Sequence, residues 1–405
     1  MKKSIFLVAI LLCQGQIENF IPQLNILDEL IVIIFIILAI YKIIICKKAL
    51  RLYQIEKFMI FSLCLYISIG LISNYKSEIL INNIDILRSL FLSLKAFIVY
   101  FFCRIYFQNI NLNTRYLEKI YYFLIKVIYF YVGIIIINYF FNFLKPWDNR
   151  FGFIKIVSVG FSHPAEFDFF IVSISSLILF LNCILEKNIN YFKKLIIPLT
   201  FLILSSGRIK ALVYFLIFVI AYFIILKNRR MKFIYIIPII PIVAYIAHDR
   251  FISQIINSKS ARGNLYKTSL EIGKDFFPLG SGFGTFGTEM SRVKYSSLYY
   301  IYGISGIYGL RPDYPAFITD TYWPAVIGEV GFLGLILMIG ITFGLIKLCI
   351  SITRNNMLKL GVVSLLGYGI FASVADSIFT TYRGVAIMII TSFMISFISK
   401  INRKV

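Results

Sequence analysis

The residues best suited to chemistry in this 405-residue sequence are two arginines in short polar stretches. Arg208 lies in SSGRIKAL and Arg262 lies in SARGNLYKTSL. Arginine is always charged and its planar fork of donors matches phosphate oxygens, so two converging arginines predict a binding site for a diphosphate group. Contact with phospholipid head groups is the alternative interpretation.

A second group of charges lies upstream. Asp85, Arg88 and Lys95 are spaced at i, i+3 and i+10, which places them on one face of a predicted helix. Asp85 and Arg88 form an ion pair in the simplest structural interpretation, but Lys95 then needs another anion or a water-filled cavity. We therefore expect Arg88 and Lys95 to assist the two arginines in binding a diphosphate.

Proton transfer has several candidate residues. A carboxylate or an imidazole within reach of a hydroxyl group can take its proton. Asp320 is our first choice, followed by Glu166 and Asp168 in GFSHPAEFDFF, and capping of a helix is the alternative role for the adjoining histidine. The full set of candidates is His163, Glu166, Asp168, Asp313, Asp320 and Glu329. Nothing in the sequence has metal-ligand spacing, and this chemistry requires no cofactor.

The glycine-rich run 278–287, PLGSGFGTFG, is not a nucleotide-binding loop. No strand precedes it and the Walker Lys-Ser/Thr pair is absent. We expect its glycines to let the backbone approach a bulky ligand or to make tight turns.

Composition places these residues in a membrane protein. The sequence is 60% hydrophobic and 15% charged, with a mean hydropathy of +0.86, which predicts an all-α polytopic membrane protein. Twelve spans are predicted, near residues 4–14, 28–46, 57–73, 85–106, 119–142, 165–185, 192–206, 209–227, 231–247, 322–349, 357–374 and 379–399.

Charge patterning predicts the orientation. The net charge of +22 arises from Lys and Arg gathered in every second connection between spans, so we expect no nucleic-acid partner and a cytoplasmic location for both termini. A signal peptide at the N-terminus is the less favoured alternative. The predicted organisation is an N-terminal bundle of about nine spans (1–247), a large outer loop (248–321) and three closing spans (322–405), with a tight hairpin at 205–208.

Four stretches together resemble the O-antigen polymerase and O-antigen ligase superfamily of polysaccharide-assembly membrane proteins. They are His-Pro-x-Glu-Phe at 163–167, Ser-Gly-Arg at 206–208, the Arg262 segment leading to 278–284, and GEVGFLG at 328–334. The resemblance covers about the last 250 residues. Ligases of the family carry a histidine about where Asp320 stands, and this departure favours a polymerase.

The resemblance implies a glycosyltransferase that joins oligosaccharide repeat units, carried on undecaprenyl diphosphate, at the outer side of the cytoplasmic (inner) membrane. Arg208 and Arg262 would bind the diphosphate and Asp320 would take the proton. The implied partners are the lipid-linked oligosaccharide, membrane lipid and a protein that controls chain length. A ligase, a transporter or flippase of lipid-linked sugars, and a non-catalytic scaffold are the alternatives.

Overall fold

The computed structural model describes residues 2–46, 52–79, 81–108, 113–144, 148–150, 154–188, 190–227 and 260–401. In chain order its elements are α1 (Lys2–Leu12), α2 (Gln14–Phe20), a 3-10 turn (Pro22–Ile26), α3 (Leu27–Cys46), α4 (Gln54–Lys76), α5 (Asn83–Gln108), α6 (Thr114–Phe141), β1 (Asp148–Arg150), β2 (Ile154–Ile156), α7 (Pro164–Ile184), α8 (Asn190–Ser206), α9 (Ile209–Leu226), α10 (Ala261–Asp275), α11 (Glu289–Val293), α12 (Leu298–Ile301), α13 (Tyr322–Ser351), α14 (Asn356–Ser373), a second 3-10 turn (Ile378–Thr380) and α15 (Tyr382–Ile401).

Seven of the described helices, α4, α5, α6, α7, α13, α14 and α15, are long and apolar enough to cross a membrane. The prediction of a helical multi-pass membrane protein is therefore confirmed. The described residues also contain one short antiparallel hairpin, formed by β1 and β2. Four more predicted spans are also helical, as α1, α3, α8 and α9, but they are not among these seven. The span predicted at 231–247 lies outside the described residues, so the total of twelve stays a prediction.

Helices α7 and α15 form the centre of the bundle. In their most apolar stretches 83% and 78% of residues are buried, against 28% in α6. Helix α15 packs chiefly on α5, and α7 packs on α14. Because a lipid-facing helix leaves its apolar surface outside the protein, this difference identifies α6 as peripheral and α7 and α15 as the scaffold for any inward-facing side chain.

A buried ion pair joins three of the spanning helices. Arg104 of α5 donates to Glu56 of α4 (Nε to Oε1, 2.6 Å) and to Ser396 of α15 (Nη1 to Oγ, 2.6 Å). The hydroxyl of Tyr100 donates to the same carboxylate at 2.9 Å. Every charge here has a partner, which is the condition for burying charge in a membrane protein.

Part of the predicted outer loop folds around a small core of its own. Between 260 and 321, α10, α11 and α12 enclose Leu265, Phe286 and Tyr299, all with no exposed surface. The hydroxyl of Tyr299 accepts from the backbone N–H of Gly287 at 2.9 Å. This segment is therefore an ordered unit packed on α13 and not an extended connection.

Candidate active site

The turn that carries Arg208 is as tight as predicted. Helix α8 ends at Ser206, Gly207 adopts a positive φ of 62°, and Arg208 is the N-cap residue of α9. A residue without Cβ adopts that conformation without strain. The backbone N–H of Val157 donates to the Ser205 carbonyl oxygen at 3.1 Å, so the β-hairpin packs against the same turn.

His163 both caps α7 and contacts Arg208. Its Nδ1 accepts from the Ala165 backbone N–H at 3.2 Å, and the Glu166 carboxylate accepts from the His163 backbone N–H at 3.3 Å, which completes a capping box. Its Nε2 lies 2.5 Å from Nη2 of Arg208. A neutral imidazole has only one acceptor nitrogen, so the cap and the guanidinium compete for it.

The environment of His163 keeps its ring neutral. Burial, and next the charge of Arg208, lower the pKa of His163 to about 3. A base with so low a pKa takes a proton poorly near neutral pH. His163 is therefore better suited to orient Arg208 than to act as the proton acceptor.

Three charges that the sequence analysis did not select meet beside this pair. Asp376, in the connection after α14, accepts from Arg383 of α15 through both carboxylate oxygens, at 2.8 and 2.9 Å, and from Lys210 of α9 at 2.8 Å. Burial raises the pKa of Asp376, but Arg383 and Lys210 outweigh it and hold the pKa well below its ordinary value. Arg383 lies within a predicted span, so the cost of intramembrane charge was a signal that would have found it.

The second predicted arginine lies in an ion pair with the predicted base. Nη2 of Arg262 is 3.0 Å from Oδ2 of Asp320, and both side chains are about one-third exposed, at 31% and 32%. Burial raises the pKa of Asp320, whereas Arg262 lowers it, and the net shift is upward. Asp376 and Lys210 also act on the Asp320 carboxyl, so the ion pair lies within electrostatic range of the other charges.

These side chains form one group, which we call the basic cluster. It consists of Arg208, Lys210, Arg262, Arg383, Asp320 and Asp376, with neutral His163 beside it. The four cations and two carboxylates of the cluster sum to +2, and the Glu166 carboxylate, which accepts from the His163 backbone N–H, lies beside them. That surplus matches a dianionic group, and three of the four cations are arginines with forked donors.

Lys95 and Arg88 lie elsewhere, on a neighbouring cavity. Nζ of Lys95 is 2.5 Å from Oδ2 of Asp28 and 3.7 Å from Oε1 of Glu29, in the first turn of α3. The anion that Lys95 needed is therefore supplied by α3. Asp85 lies 3.9 Å from Lys294, and among the described residues Arg88 has no ion-pair partner, so the simple Asp85–Arg88 pair is not formed.

The cavity itself has a volume of about 350 Å³ and adjoins the basic cluster. Thr319 and Thr321, which flank Asp320 in the chain, lie in its wall. So do Ser377, next to Asp376, and Thr381, two residues before Arg383. We call this space the threonine cavity. It is large enough for a small-molecule ligand.

The two glycine-containing motifs of the sequence pack against each other at one wall of the cavity. Backbone N–H groups of Ser281 and Gly282 donate to the carbonyl oxygens of Gly328 and Glu329, both at 2.8 Å. The buried Glu329 carboxylate accepts from the Gly284 backbone N–H at 2.7 Å. The expected tight turns are confirmed by the positive φ angles of Gly282 and Gly284, whereas the close backbone approach seen here is to helix α13, so approach to a bulky ligand stays a prediction.

The remaining predicted acids differ in their surroundings. Glu166 accepts from the Ser162 hydroxyl at 2.6 Å in addition to completing the cap. Asp168 lies within α7 with no exposed surface, and Asp313 is largely exposed at 3.9 Å from Arg311. Of the predicted acids, Asp320 belongs to the basic cluster and Glu329 lines the cavity.

Within the described residues no group of three His, Cys, Asp or Glu side chains is placed to hold a metal ion. Comparison of the sequence with protein-family models finds no match, and comparison with curated proteins finds no match either. We therefore infer function from the basic cluster, the threonine cavity and the sequence motifs.

Proposed function

We propose that this chain is a membrane glycosyltransferase that joins oligosaccharide repeat units carried on undecaprenyl diphosphate into a surface polysaccharide. The observation that carries the proposal is the basic cluster, whose net charge of +2 suits a diphosphate and whose Asp320 lies in the chain between Thr319 and Thr321, two residues that line a polar cavity. The choice of a polymerase within this class comes from the sequence motifs and from Asp320 standing where ligases have histidine. The reaction would take place at the outer side of the cytoplasmic membrane.

The proposed step is one glycosyl transfer. A hydroxyl oxygen of the incoming unit attacks the anomeric carbon of the growing chain and forms the new glycosidic bond. The bond from that carbon to the diphosphate oxygen breaks, and its electron pair leaves with undecaprenyl diphosphate. The hydroxyl proton passes to the Asp320 carboxylate, so atoms and charges balance without a nucleotide or a metal.

Arg208 and Arg262 would act on the leaving group. Negative charge develops on the bridging oxygen as the bond breaks, and fixed guanidinium groups stabilise that charge more than they stabilise the ground state. Asp376 forms ion pairs with both Arg383 and Lys210, and it orients these two cations before substrate arrives. Preorganised charges need no rearrangement during the reaction.

Asp320 would serve as the base because of its position and its pKa. Burial raises the pKa of Asp320, which makes the carboxylate a stronger proton acceptor. The Arg262 guanidinium favours the charged form of this carboxyl group until the diphosphate competes for the guanidinium. Binding of the donor would thus release the base at the time when it is needed.

The test is the surface-glycan ladder of cells that lack this chain and are complemented with wild type, Arg208→Ala, Arg262→Ala or Asp320→Asn at matched protein levels. We expect all three variants to collapse the ladder to a single-repeat band, with Asp320→Asn slowing transfer by about 10²- to 10⁴-fold. Arg311→Ala and Asp313→Asn are matched controls, because that ion pair lies on the same segment but is exposed.

The other functions give different results in the same experiment. Long chains that stay unlinked to the cell surface would indicate a ligase, and loss of all outer glycan would indicate a transporter. A normal ladder from all three variants would show that the basic cluster is not the site and would be expected of a scaffold.

A further inference from the structure

The wall of the threonine cavity is polar and its net charge is close to zero, whereas the basic cluster is positively charged. Charged side chains in the wall are Glu29, Glu289, Glu329, Arg88 and Lys95, which sum to −1. Such a wall disfavours phosphate, which the neighbouring cluster with its net charge of +2 attracts. The basic cluster and the threonine cavity therefore suit ligands of different charge.

Hydroxyl groups make up much of the remaining wall. They belong to Ser93, Thr288, Thr319, Thr321, Ser377, Thr380 and Thr381. A hydroxyl both donates and accepts, and the carboxylates of the wall accept, so the cavity offers partners for a ligand that is itself rich in hydroxyls. Two aromatic rings, Tyr66 and Tyr322, add flat apolar surface for the carbon face of such a ligand.

One of these hydroxyls lacks a protein partner. Thr321 is the N-cap residue of α13, yet its side chain makes no capping hydrogen bond. Its Oγ1 is buried and, among the described residues, has no hydrogen-bond partner. A buried polar atom without a partner costs stability, so a ligand or water in the cavity would offer the bond that the protein does not make.

The cavity is also in the right place for an acceptor. Its wall residues Thr319 and Thr321 are the chain neighbours of Asp320, and adjacent Cα atoms are about 3.8 Å apart. A hydroxyl held in the cavity would therefore lie near the chain segment that carries the carboxylate proposed to take its proton.

We propose that the threonine cavity binds the sugar residue that carries the attacking hydroxyl of the incoming repeat unit. This inference rests on the proposed function, and it assigns the two substrates to two sites. The diphosphate of the growing chain lies on the basic cluster, and a neutral sugar ring of the acceptor lies among the hydroxyls and tyrosines of the cavity.

Three variants test the cavity without touching the basic cluster. Thr321→Val exchanges the unpaired hydroxyl for a methyl group, which leaves the fold unharmed. Tyr66→Phe keeps the ring that packs on Phe283 (centroids 5.8 Å apart) and removes only the hydroxyl. Ser93→Phe fills the cavity from α5.

Controls for these changes come from α4. Tyr75→Phe removes a hydroxyl from a side chain that is 89% exposed, and Ser68→Phe adds the same ring at an exposed position. Each control matches the chemistry of one test variant but lies away from the cavity.

Two measurements are needed. The first is the rate of repeat addition in cells, followed by pulse-labelling of the glycan ladder. The second is binding of undecaprenyl diphosphate without sugar to purified protein in nanodiscs. We expect Thr321→Val and Tyr66→Phe each to slow extension about two- to tenfold, as for loss of one neutral hydrogen bond, and Ser93→Phe to leave mainly single repeats. All three should bind undecaprenyl diphosphate as wild type does.

The outcomes separate the two ideas. Normal extension by all three variants, with Arg208→Ala still losing both binding and extension, would overturn the cavity assignment alone. If wild type neither binds undecaprenyl diphosphate nor extends the ladder, the proposed function fails and the cavity assignment fails with it. If Ser93→Phe does not fold, Thr321→Val and Tyr66→Phe decide the matter.

Discussion

Helix α13 is interrupted at Gly331, and we predict that this single position controls the wall of the threonine cavity. Its backbone has φ 74° and ψ −167°, a region that only glycine adopts without strain. A Cβ built there would lie 2.1 Å from the carbonyl oxygen of Leu279 and 2.3 Å from its carbonyl carbon. Both atoms are backbone, so the clash is not relieved by a side-chain rotation.

The expected loss of stability in Gly331→Ala has two causes, backbone strain at residue 331 and the clash with the Leu279 backbone. Strain in a disfavoured backbone region is about 1–3 kcal/mol, and displacement of the packed glycine run adds to it. We expect a loss of about 3 kcal/mol or more in the free energy of unfolding, roughly a hundredfold in the folding equilibrium. The displaced run carries the N–H group of Gly284 that binds Glu329, so the cavity wall changes as well.

The assay is denaturant unfolding of the purified protein followed by fluorescence of Trp323, one of the two tryptophans and part of the first turn of α13. Gly340→Ala is the matched control in the same helix, because a Cβ there would meet only the ring of Phe58 at 3.8 Å. That control should be neutral or stabilising by about 0.5–1 kcal/mol. A Gly331→Ala protein within 1 kcal/mol of wild type would refute the reasoning.

Three further predictions concern charged groups. Asp376→Asn should destabilise the protein by about 3 kcal/mol, because Arg383 is left buried without its carboxylate, and thermal melting measures this loss. The pKa of His163 is about 3 in the folded protein and about 6.5 in the unfolded chain, so the unfolded state binds more protons between these pH values. Stability that is present at pH 7 is therefore lost as the pH falls through that window. The melting temperature of His163→Gln should fall less from pH 7 to 5 than that of wild type. Glu56→Gln should destabilise by about 3–5 kcal/mol by leaving Arg104 uncompensated, without changing diphosphate binding by the surviving folded protein.

Much of the fold and part of the site were predictable because they depend on local patterns. Hydropathy marks the long apolar helices, and Ser-Gly-Arg marks the turn at 206–208, where only a residue without Cβ fits easily. His163 followed by Pro164 predicted a cap at the start of α7 as one of two interpretations, and the structure has that cap. Arginine chemistry alone marked Arg208 and Arg262 as candidates for an anion site.

The ion-pair partners of the charged side chains were not predictable from local patterns. Asp85 and Arg88 form a pair in the simplest interpretation of their i, i+3 spacing, yet Asp85 lies near Lys294 of the predicted outer loop. Lys95 is paired by Asp28, a residue that the sequence did not mark as a candidate. The described helix packing, and not the spacing within one helix, sets these contacts.

The sequence by itself determined that this chain is a helical membrane protein with an arginine in a tight turn and several candidate acids. Only the tertiary structure decided that Lys210, Asp376 and Arg383 complete the basic cluster, and that Asp320 pairs with Arg262 next in the chain to residues that line a polar cavity. Lys210 and Asp376 are 166 residues apart in the chain. Their contact arises from the packing of α9, α14 and α15, and partial burial strengthens the attraction between the two charges.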